Sequence, residues 1–309
     1  MSKIWFWFLP ALALFGCKSS EKTTYSPETI VPTENALLWK ISGNGLKKSS
    51  YLFGTIHMIP KDEFKLSAAT WSALDNAKRV AFEIDMKEMT NFRTQVGLMT
   101  KAFMPGGKTL KDLLTPEDYL FVRKKMDEKG LPAGMFERMK PMFLSTMFSS
   151  GEDAGGNPME GNGDMTSVEM ELYRAAKKRD IESAGLETAS YQMAIFDSIP
   201  YEAQAKMLVE SLRSTDTDHS GESELDKMLQ MYRNQDITAM QSMISGDESG
   251  MSDYEDVLLN KRNRNWIAVM GRFMKDKPTF FAVGAGHLGG PSGVVALLRK
   301  EGYRVEAEL

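Results

Sequence analysis

Apolar runs and amphipathic stretches alternate near the N-terminal end of the chain in an order typical of α/β proteins. The apolar positions in 36–42 and 50–54 predict two strands, and Gly43-Asn44-Gly45 between them predicts a hairpin turn, because glycine accepts a positive φ. Ser67 is a suitable N-cap for an amphipathic helix that extends to about Ala77, and the run in 79–85 predicts the next strand. The pattern therefore indicates a strand–loop–helix–strand unit.

The C-terminal end of the chain repeats this order. Residues 279–283 predict a buried strand, a glycine-rich loop follows, and Pro291-Ser292 is expected to open a helix over 293–300. Gly302 ends that helix, and 304–309 predicts a closing strand. We therefore expect an α/β fold in which two βαβ-containing halves form a central mixed β-sheet.

A long insertion, roughly 90–275, separates the two halves and is predicted to be mostly helical. Residues 180–186 in it predict a short strand ending at Glu187, and the glycine- and acid-rich 151–163 predicts a mobile loop. Most of the 23 methionines fall here, where they are expected to fill the core or to line a soft apolar groove for peptides or lipids. Apolar residues recur at helical spacing in 112–129, 135–149, 167–179, 201–212 and 224–232.

The N-terminus has the pattern of a targeting segment. Lys3 and the apolar run 4–14 predict a signal peptide over 1–16, since the run is too short to anchor in a bilayer as a stable span. Leu14-Phe15-Gly16-Cys17 resembles the lipobox of bacterial lipoproteins, in which the chain is cut before the cysteine and the cysteine is lipidated. The polar residues 17–35 then predict a flexible tether.

This pattern predicts an exported protein anchored to a membrane through lipidated Cys17, at the periplasmic or outer cell surface. Lys18 after the cysteine resembles outer-membrane sorting signals in bacteria with two membranes. Cys17 is the only cysteine, so neither an intramolecular disulfide nor a cysteine zinc cluster is available.

Length and charge limit the remaining possibilities. The 309 residues allow one large domain or two small ones. With 42% hydrophobic and 26% charged residues and a net charge of −4, the composition is that of an ordinary globular protein. A basic excess is lacking, which argues against nucleic acid as a partner.

Two of the three histidines end the same four-residue pattern, GxxH, in the two halves of the chain. His57 ends Gly54-Thr55-Ile56-His57 and His287 ends Gly284-Ala285-Gly286-His287, and each motif follows a predicted strand. Ligands in open α/β sheets bind outside the carboxyl ends of the strands, so the two loops are expected to converge. Imidazole is a common metal ligand, and the pair predicts one composite metal site. His219, in a polar loop, is expected to be solvated and uninvolved.

A metal held by two histidines requires at least one further ligand, and hydrolysis requires a base. Glu83 is the best candidate for the third ligand or the base, because it lies near the end of an apolar strand, where an unpaired carboxylate is costly. Asp85, two residues further on, lies on the same face of the strand and is the second choice. Glu187 is a further candidate. Arg262, with Arg264 as its neighbour, is suited to bind a substrate carboxylate or to stabilise an oxyanion.

These residues together resemble the TraB/GumN proteins, which are related to the animal Tiki proteases and to PrgY-type pheromone inhibitors. The resemblance covers about residues 37–309, and it implies a single domain over 36–309. It rests on Leu38-Trp39-Lys40, Tyr51-Leu52-Phe53-Gly54-Thr55-Ile56-His57, Phe82-Glu83-Ile84-Asp85, Gly185-Leu186-Glu187-Thr188 with Gln192, Arg262-Asn263 with Trp266, Val283-Gly284-Ala285-Gly286-His287 and Gly302-Tyr303.

The resemblance implies a fold similar to the erythromycin-esterase and ChaN-like group and a site built from His57, His287, Glu83 and Arg262, with Glu187 as a further member. It also implies a metal-dependent protease that uses Mn, Co or Zn, with Mn or Co favoured. We therefore expect a lipid-anchored metal-dependent peptidase acting on a peptide or protein substrate.

Three other functions are compatible with the sequence. The first is a non-catalytic surface protein that binds peptides or metal, as PrgY-type members dampen pheromone signalling. The second is haem or iron binding, by analogy with ChaN-like proteins, although haem ligation needs no partner such as Glu83. The third is dinucleotide binding, because Gly284-Ala285-Gly286-His287-Leu288-Gly289 also matches GxGxxG with Glu306 about twenty residues further on. Against it, only one predicted strand follows the motif, and a histidine would crowd the pyrophosphate turn.

Overall fold

The computed structural model describes residues 22–149, 164–217, 224–246 and 252–308. The predicted signal peptide, Cys17, the loop 151–163 and His219 lie outside these residues. Within the described part of the chain, no helix is long and apolar enough to cross a membrane.

Eight strands and a series of α-helices are present in the described residues. The strands are β1 (Leu38–Gly43), β2 (Ser50–Thr55), β3 (Ile59–Pro60), β4 (Arg79–Ile84), β5 (Met165–Thr166), β6 (Glu182–Glu187), β7 (Thr279–Gly284) and β8 (Tyr303–Ala307). The helices are α1 (Pro27–Ile30), α2 (Ala68–Asp75), α3 (Met86–Met89), α4 (Phe92–Lys101), α5 (Pro116–Glu128), α6 (Ala133–Phe136), α7 (Pro141–Ser149), α8 (Val168–Lys178), α9 (Ala189–Asp197), α10 (Tyr201–Thr217), α11 (Glu224–Arg233), α12 (Ile237–Ser245), α13 (Lys261–Asp276) and α14 (Val294–Lys300).

Six of the strands form one mixed sheet in the order β6-β4-β7-β2-β1-β8. The pairs β6–β4, β4–β7 and β7–β2 are parallel, whereas β1 pairs antiparallel with both β2 and β8. The fold is therefore α/β with a mixed central sheet, as the sequence predicts. The carboxyl ends of β6, β4, β7 and β2 consequently lie side by side at one edge of the sheet.

The two predicted βαβ units interlock instead of forming two separate halves. Strand β7, from the C-terminal unit, inserts between β2 and β4 of the N-terminal unit. Its register brings the two GxxH motifs into direct contact, because Thr55 pairs with Gly284 and Gly54 pairs with Val283. The hydrophobic pattern cannot specify this strand order, because the short apolar runs are equally compatible with two separate βαβ units.

The sheet is covered by a single large core. Trp39, Leu52, Phe280 and Phe281 are fully buried within it, which explains why the central strands are apolar without a strict alternation. The hairpin between β1 and β2 is confirmed, and Asn44 lies at a φ of 43° between two glycines that also have positive φ.

The insertion is mostly helical, and it has a core of its own. Leu110, Val122, Leu144 and Leu208 pack together between α5, α7 and α10, apart from the core of the sheet. The predicted strand before Glu187 is confirmed as β6, the edge strand of the large sheet. The insertion therefore contributes a strand to the sheet as well as helices beside it.

Three predicted helices differ clearly in their limits from those observed. The helix predicted over 201–212 continues to Thr217 as α10. The helix predicted over 112–129 begins at Pro116, after Thr115 accepts a hydrogen bond from the Asp118 N–H at 3.2 Å. The segment predicted as one helix over 135–149 is divided into α6 and α7, because Pro141 has no N–H to continue an earlier helix.

Part of the predicted flexible tether packs against the domain. The Tyr25 hydroxyl accepts a hydrogen bond from the Val305 N–H at 2.9 Å, and the Thr23 N–H donates to the Gly302 carbonyl at 3.1 Å. The buried Arg299 guanidinium donates to the carbonyl of Thr29 at 3.0 Å and lies over the rings of Tyr25 and Trp39. Residues 22–31 are thus docked on α14 and β8 and are not a free linker.

We expect Gly185→Ala to lower the free energy of unfolding by about 1–3 kcal/mol, because the new methyl group has no room. A Cβ at this position in β6 would lie 2.5 Å from the backbone nitrogen of Asp85 and 2.9 Å from the Glu187 carbonyl oxygen. Thermal or urea unfolding measures the effect.

Gly97→Ala is the matched control, because Gly97 lies in α4 and an added Cβ meets nothing within 4 Å. It should leave stability unchanged or raise it by about 0.5–1 kcal/mol through the higher helix propensity of alanine. Equal losses in the two variants would contradict the steric argument.

Candidate functional site

A cavity of about 340 Å³ lies at the carboxyl edge of the parallel strands. His57 follows β2, His287 follows β7, and Glu83 lies near the end of β4, so all three reach the cavity from neighbouring strands. Arg262, at the beginning of α13, and Gln192, on α9, complete its polar lining. Four of the predicted site residues are therefore brought to one cavity.

Glu83 is held as an ionised carboxylate by donors on both of its oxygens. Its Oε1 accepts the Gly284 N–H at 2.9 Å, and its Oε2 accepts from Arg262 Nη2 at 2.5 Å and from Gln192 Nε2 at 3.2 Å. Burial alone would raise the pKa of Glu83, but the adjacent Arg262 guanidinium holds that pKa well below its usual range. Glu83 is thus a negatively charged carboxylate in the lining of the cavity.

Arg262 is fixed by contacts with Glu187 and Trp266 in addition to its contact with Glu83. Glu187 Oε1 accepts from both Nε and Nη2 of Arg262, at 3.0 and 2.6 Å, and the guanidinium lies 4.9 Å from the centre of the Trp266 ring. Trp266 Nε1 in turn donates to Glu187 Oε2 at 2.9 Å. A π-helical segment, Asp256–Asn260, precedes α13, and such segments are frequent at functional sites. Glu187 therefore positions Arg262 and does not line the cavity.

His287 is buried and neutral, with one ring nitrogen engaged behind the site. Asn263 Oδ1 lies 2.6 Å from His287 Nδ1, and the same amide donates to the Ser292 carbonyl at 3.0 Å, which fixes the orientation of the amide and makes Nδ1 the donor. Burial lowers the pKa of His287 to about 3. Its Nε2, the unprotonated nitrogen, lies 3.2 Å from Arg262 Nη1 and 3.7 Å from Glu83 Oε1.

His57 has a comparable partner on its Nδ1. Glu169 Oε1, on α8, lies 3.0 Å from His57 Nδ1 and also accepts from the Thr55 hydroxyl at 2.7 Å. The Glu169 carboxylate raises the pKa of His57 above its usual range, although the His57 side chain is 79% exposed and water screens part of this attraction. Both histidines thus have Nδ1 bonded to an oxygen. This leaves Nε2 as the nitrogen for a ligand in His57, whereas in His287 a ligand at Nε2 would have to displace Arg262 Nη1.

The first glycine of each GxxH motif permits close packing at this site. A Cβ at Gly54 would lie 3.0 Å from Cβ and 3.1 Å from Cα of Ala285, in the other motif. A Cβ at Gly284 would lie 3.3 Å from Glu83 Oε1. The glycines therefore allow the two loops and the carboxylate to come together.

The donor set fits a divalent ion in its chemistry. A metal-binding histidine usually donates its other ring N–H to an oxygen, and Glu169 and Asn263 are placed to accept in this way. Glu83 is the nearby carboxylate. Within the described residues, however, no three His, Cys, Asp or Glu side chains are grouped closely enough to hold a metal. Arg262 now occupies the space between His287 and Glu83.

The other predicted residues lie away from the cavity. Asp85 caps α3 by accepting the Lys87 N–H at 3.1 Å and also accepts from the Ser183 hydroxyl at 2.6 Å. Arg264 pairs with Asp256 at the surface. The GxGxxG match does not form a nucleotide-binding turn, because α14 begins only at Val294 and residues 285–287 form a 3-10 turn.

Glu169 and Asn263 are site residues that the sequence does not single out on their own chemistry. Glu169 follows Ser167, the N-cap of α8, so locally it resembles an ordinary acidic residue in a first helical turn. Asn263 stands beside Arg262 in the sequence and is part of the family motif, but its contact with His287 spans two elements. Asn263 has one local signal, its position beside Arg262 in the family motif, whereas Glu169 has none.

The fold and the cavity define an α/β protein with a site of two histidines, a glutamate and an arginine. The chain belongs to the TraB/PrgY/gumN family, whose sequence profile matches residues 37–307. No solved structure matches the chain.

The chain is similar to several curated relatives. Metalloprotease TIKI1 of Danio rerio is 23% identical, and the alignment covers 88% of this chain and 63% of the relative. Metalloprotease TIKI2 of Xenopus tropicalis is 24% identical over 88% of this chain and 60% of the relative, and metalloprotease TIKI1 of Homo sapiens is 22% identical over 88% and 62%. The chain thus spans about three-fifths of the length of these relatives.

We expect Glu169→Gln to lower the pKa of His57 toward its ordinary value of 6.5. A neighbouring carboxylate stabilises the imidazolium, so removing that charge favours the neutral ring and shifts its titration to lower pH. With only three histidines in the chain, NMR titration of the ring signals in the metal-free protein measures this directly.

Glu171→Gln is the matched control, because Glu171 lies on the same helix but pairs with Arg174 at 2.8 Å. It should leave the titration of His57 unchanged, and neither variant should move His287. A His57 titration that is the same in the parent and in Glu169→Gln would show that Glu169 does not act on this ring.

Proposed function

We propose that the protein is a metal-dependent hydrolase that cleaves peptide bonds, with His57 and His287 as metal ligands. The observation that carries this proposal is the pairing of the two GxxH loops on neighbouring parallel strands, with each histidine held through Nδ1 and both at one cavity. Membership of the family and similarity to proteins named metalloproteases support the same reaction class.

Each charged group in the cavity has a role consistent with this chemistry. A divalent ion, with Mn, Co and Zn as the candidates, would supply Lewis acidity toward a substrate carbonyl and an attacking water. Glu83 is a suitable third ligand, because its Oε1 accepts only one hydrogen bond, from the Gly284 N–H, and because its pairing with Arg262 makes it a weak general base. The Arg262 guanidinium, held by Glu187, is placed to orient the substrate and to stabilise negative charge that develops on a carbonyl oxygen.

A non-catalytic binding protein remains the second candidate. The observation in its favour is that Arg262 neutralises Glu83 in the described structure, so the carboxylate is engaged before any ligand arrives. Such a protein would bind a peptide in the cavity and release it intact. Product analysis by mass spectrometry separates the two functions.

We expect His57→Ala and His287→Ala each to lower the rate of peptide cleavage by at least about a hundredfold, since even the partner of a metal ligand contributes about 10–100-fold. The measurement is cleavage of a peptide library with added Mn, Co or Zn, analysed by mass spectrometry. Metal should also raise the melting temperature of the parent, by an amount that depends on its concentration, more than that of either variant.

His219→Ala is the control, because this third histidine is predicted to be uninvolved and the substitution removes the same side chain. It should retain the parent's activity and its stabilisation by metal. If His57→Ala and His287→Ala cleave as fast as the parent, the proposed site is wrong.

We further propose that the protein acts as an exported lipoprotein tethered through Cys17, on the basis of the lipobox-like Leu14-Phe15-Gly16-Cys17. In a bacterial host, the parent should incorporate a labelled fatty acid and partition into detergent, whereas Cys17→Ala should do neither. Ser19→Ala, two residues further on, should behave as the parent. Equal labelling of the parent and Cys17→Ala would contradict lipidation at this residue.

A further inference from the structure

The cavity has an apolar wall that the proposed chemistry does not use. Its polar side chains belong mainly to the strand ends and to Arg262, whereas the helices α9, α11 and α12 contribute Phe196, Met228, Met240 and Met243. The volume of about 340 Å³ is close to the lower end for small-ligand sites. It therefore admits a short length of extended chain and its side chains but not a folded domain.

Charge is confined to one side of this cavity. Among the lining residues, the ionisable side chains are His57, Glu83, Arg262 and His287, and the part of the lining that α9, α11 and α12 contribute carries none. A charged substrate side chain placed against α11 and α12 would lose its hydration without gaining a partner, which is unfavourable. The wall therefore selects against charge at that position.

The wall is also fixed relative to the catalytic loop. The loop that follows His287 packs directly on the beginning of α12, since a Cβ at Gly289 would lie only 2.6 Å from the Ile237 carbonyl oxygen. Met240, one turn further along α12, is only 6% exposed. A side chain bound against this wall consequently lies at a set position with respect to His287.

Methionine gives the wall a particular type of selectivity. Its unbranched, polarizable side chain adapts to differently shaped apolar groups and contacts aromatic rings favourably. A wall with three methionines accordingly accepts several large apolar side chains, instead of one defined shape. The methionines of the insertion therefore have two locations. Some fill the core, as Met126 and Met270 do, and others line the cavity.

We propose that the substrates are peptide segments with a large apolar side chain adjacent to the scissile bond, bound against Met228, Met240 and Met243. This inference rests on the proposed hydrolase function. It adds the substrate class, namely an extended segment with leucine, methionine or phenylalanine, and it excludes lysine and aspartate at the same position.

The test uses peptides of one length that differ at a single central position, with leucine, phenylalanine, lysine or aspartate. Anisotropy of fluorescently labelled peptides gives their affinity for the metal-free full chain, and mass spectrometry gives their cleavage with Mn or Co. We expect the leucine and phenylalanine peptides to bind about tenfold or more tightly than the lysine and aspartate peptides, because only the former bury apolar surface. Cleavage should follow the same order.

Met243→Lys should weaken binding of the leucine peptide and strengthen binding of the aspartate peptide, because it places a positive charge in the wall. Met135→Lys is the matched control, since Met135 is 54% exposed and lies outside the cavity lining. Met243→Leu keeps the wall apolar and should retain the parent's order of preference. Melting temperatures confirm that each variant is folded.

The outcomes distinguish this inference from the function on which it rests. Cleavage of all four peptides at equal rates would overturn the proposed selectivity of the apolar wall but would agree with the proposed hydrolase function. Selective binding without any cleaved product would overturn the hydrolase and support the wall. Three other outcomes would overturn the proposed substrate class. They are equal binding of all peptides, tight binding of a long-chain fatty acid in their place, and an equal effect of Met135→Lys and Met243→Lys.

Discussion

The insertion of β7 between β2 and β4 is the constraint on which the rest of the structure depends. Parallel pairing aligns the carboxyl ends of these strands, so that residues from the two ends of the chain meet across the register of Thr55 with Gly284. The polar site follows from this alignment, since Glu83 on β4 accepts a hydrogen bond from the N–H of the same Gly284 on β7. The sheet thereby converts two distant GxxH motifs into one cavity.

Around this junction, the charged groups form a chain of mutual support. Arg262 donates hydrogen bonds to Glu187, at the end of β6, and to Glu83. Glu83 also accepts a hydrogen bond from the backbone of the second GxxH motif. Burying these charges is tolerable because each one is paired and hydrogen-bonded. The outer members are positioning residues, whereas Glu83 and Arg262 face the cavity. Glu169 and Asn263 extend the same principle to the two histidines.

Much of the site could be predicted from the sequence, because His57, His287 and Glu83 occur in short motifs at the ends of recognisable strands and Arg262 occurs in a family motif. His57, His287, Glu83 and Arg262 were all placed at one cavity by the structure. Glu169 could not be found in this way, because it resembles a helix-capping carboxylate and its role comes from a contact made 112 residues away in the sequence. Asp85 shows the opposite case: it has a suitable local pattern, but it caps α3.

By itself, the sequence determined the six strands of the large sheet, the hairpin, the glycine-dependent turns and the family, because these depend on local pattern and on short motifs. Only the tertiary structure decided that the βαβ units interlock, that residues 22–31 pack on the domain, and that three methionines line the cavity beside the charged groups. Hydrophobic periodicity specifies which face of an element is buried but not which neighbour buries it. That choice is made by packing between segments far apart in the chain.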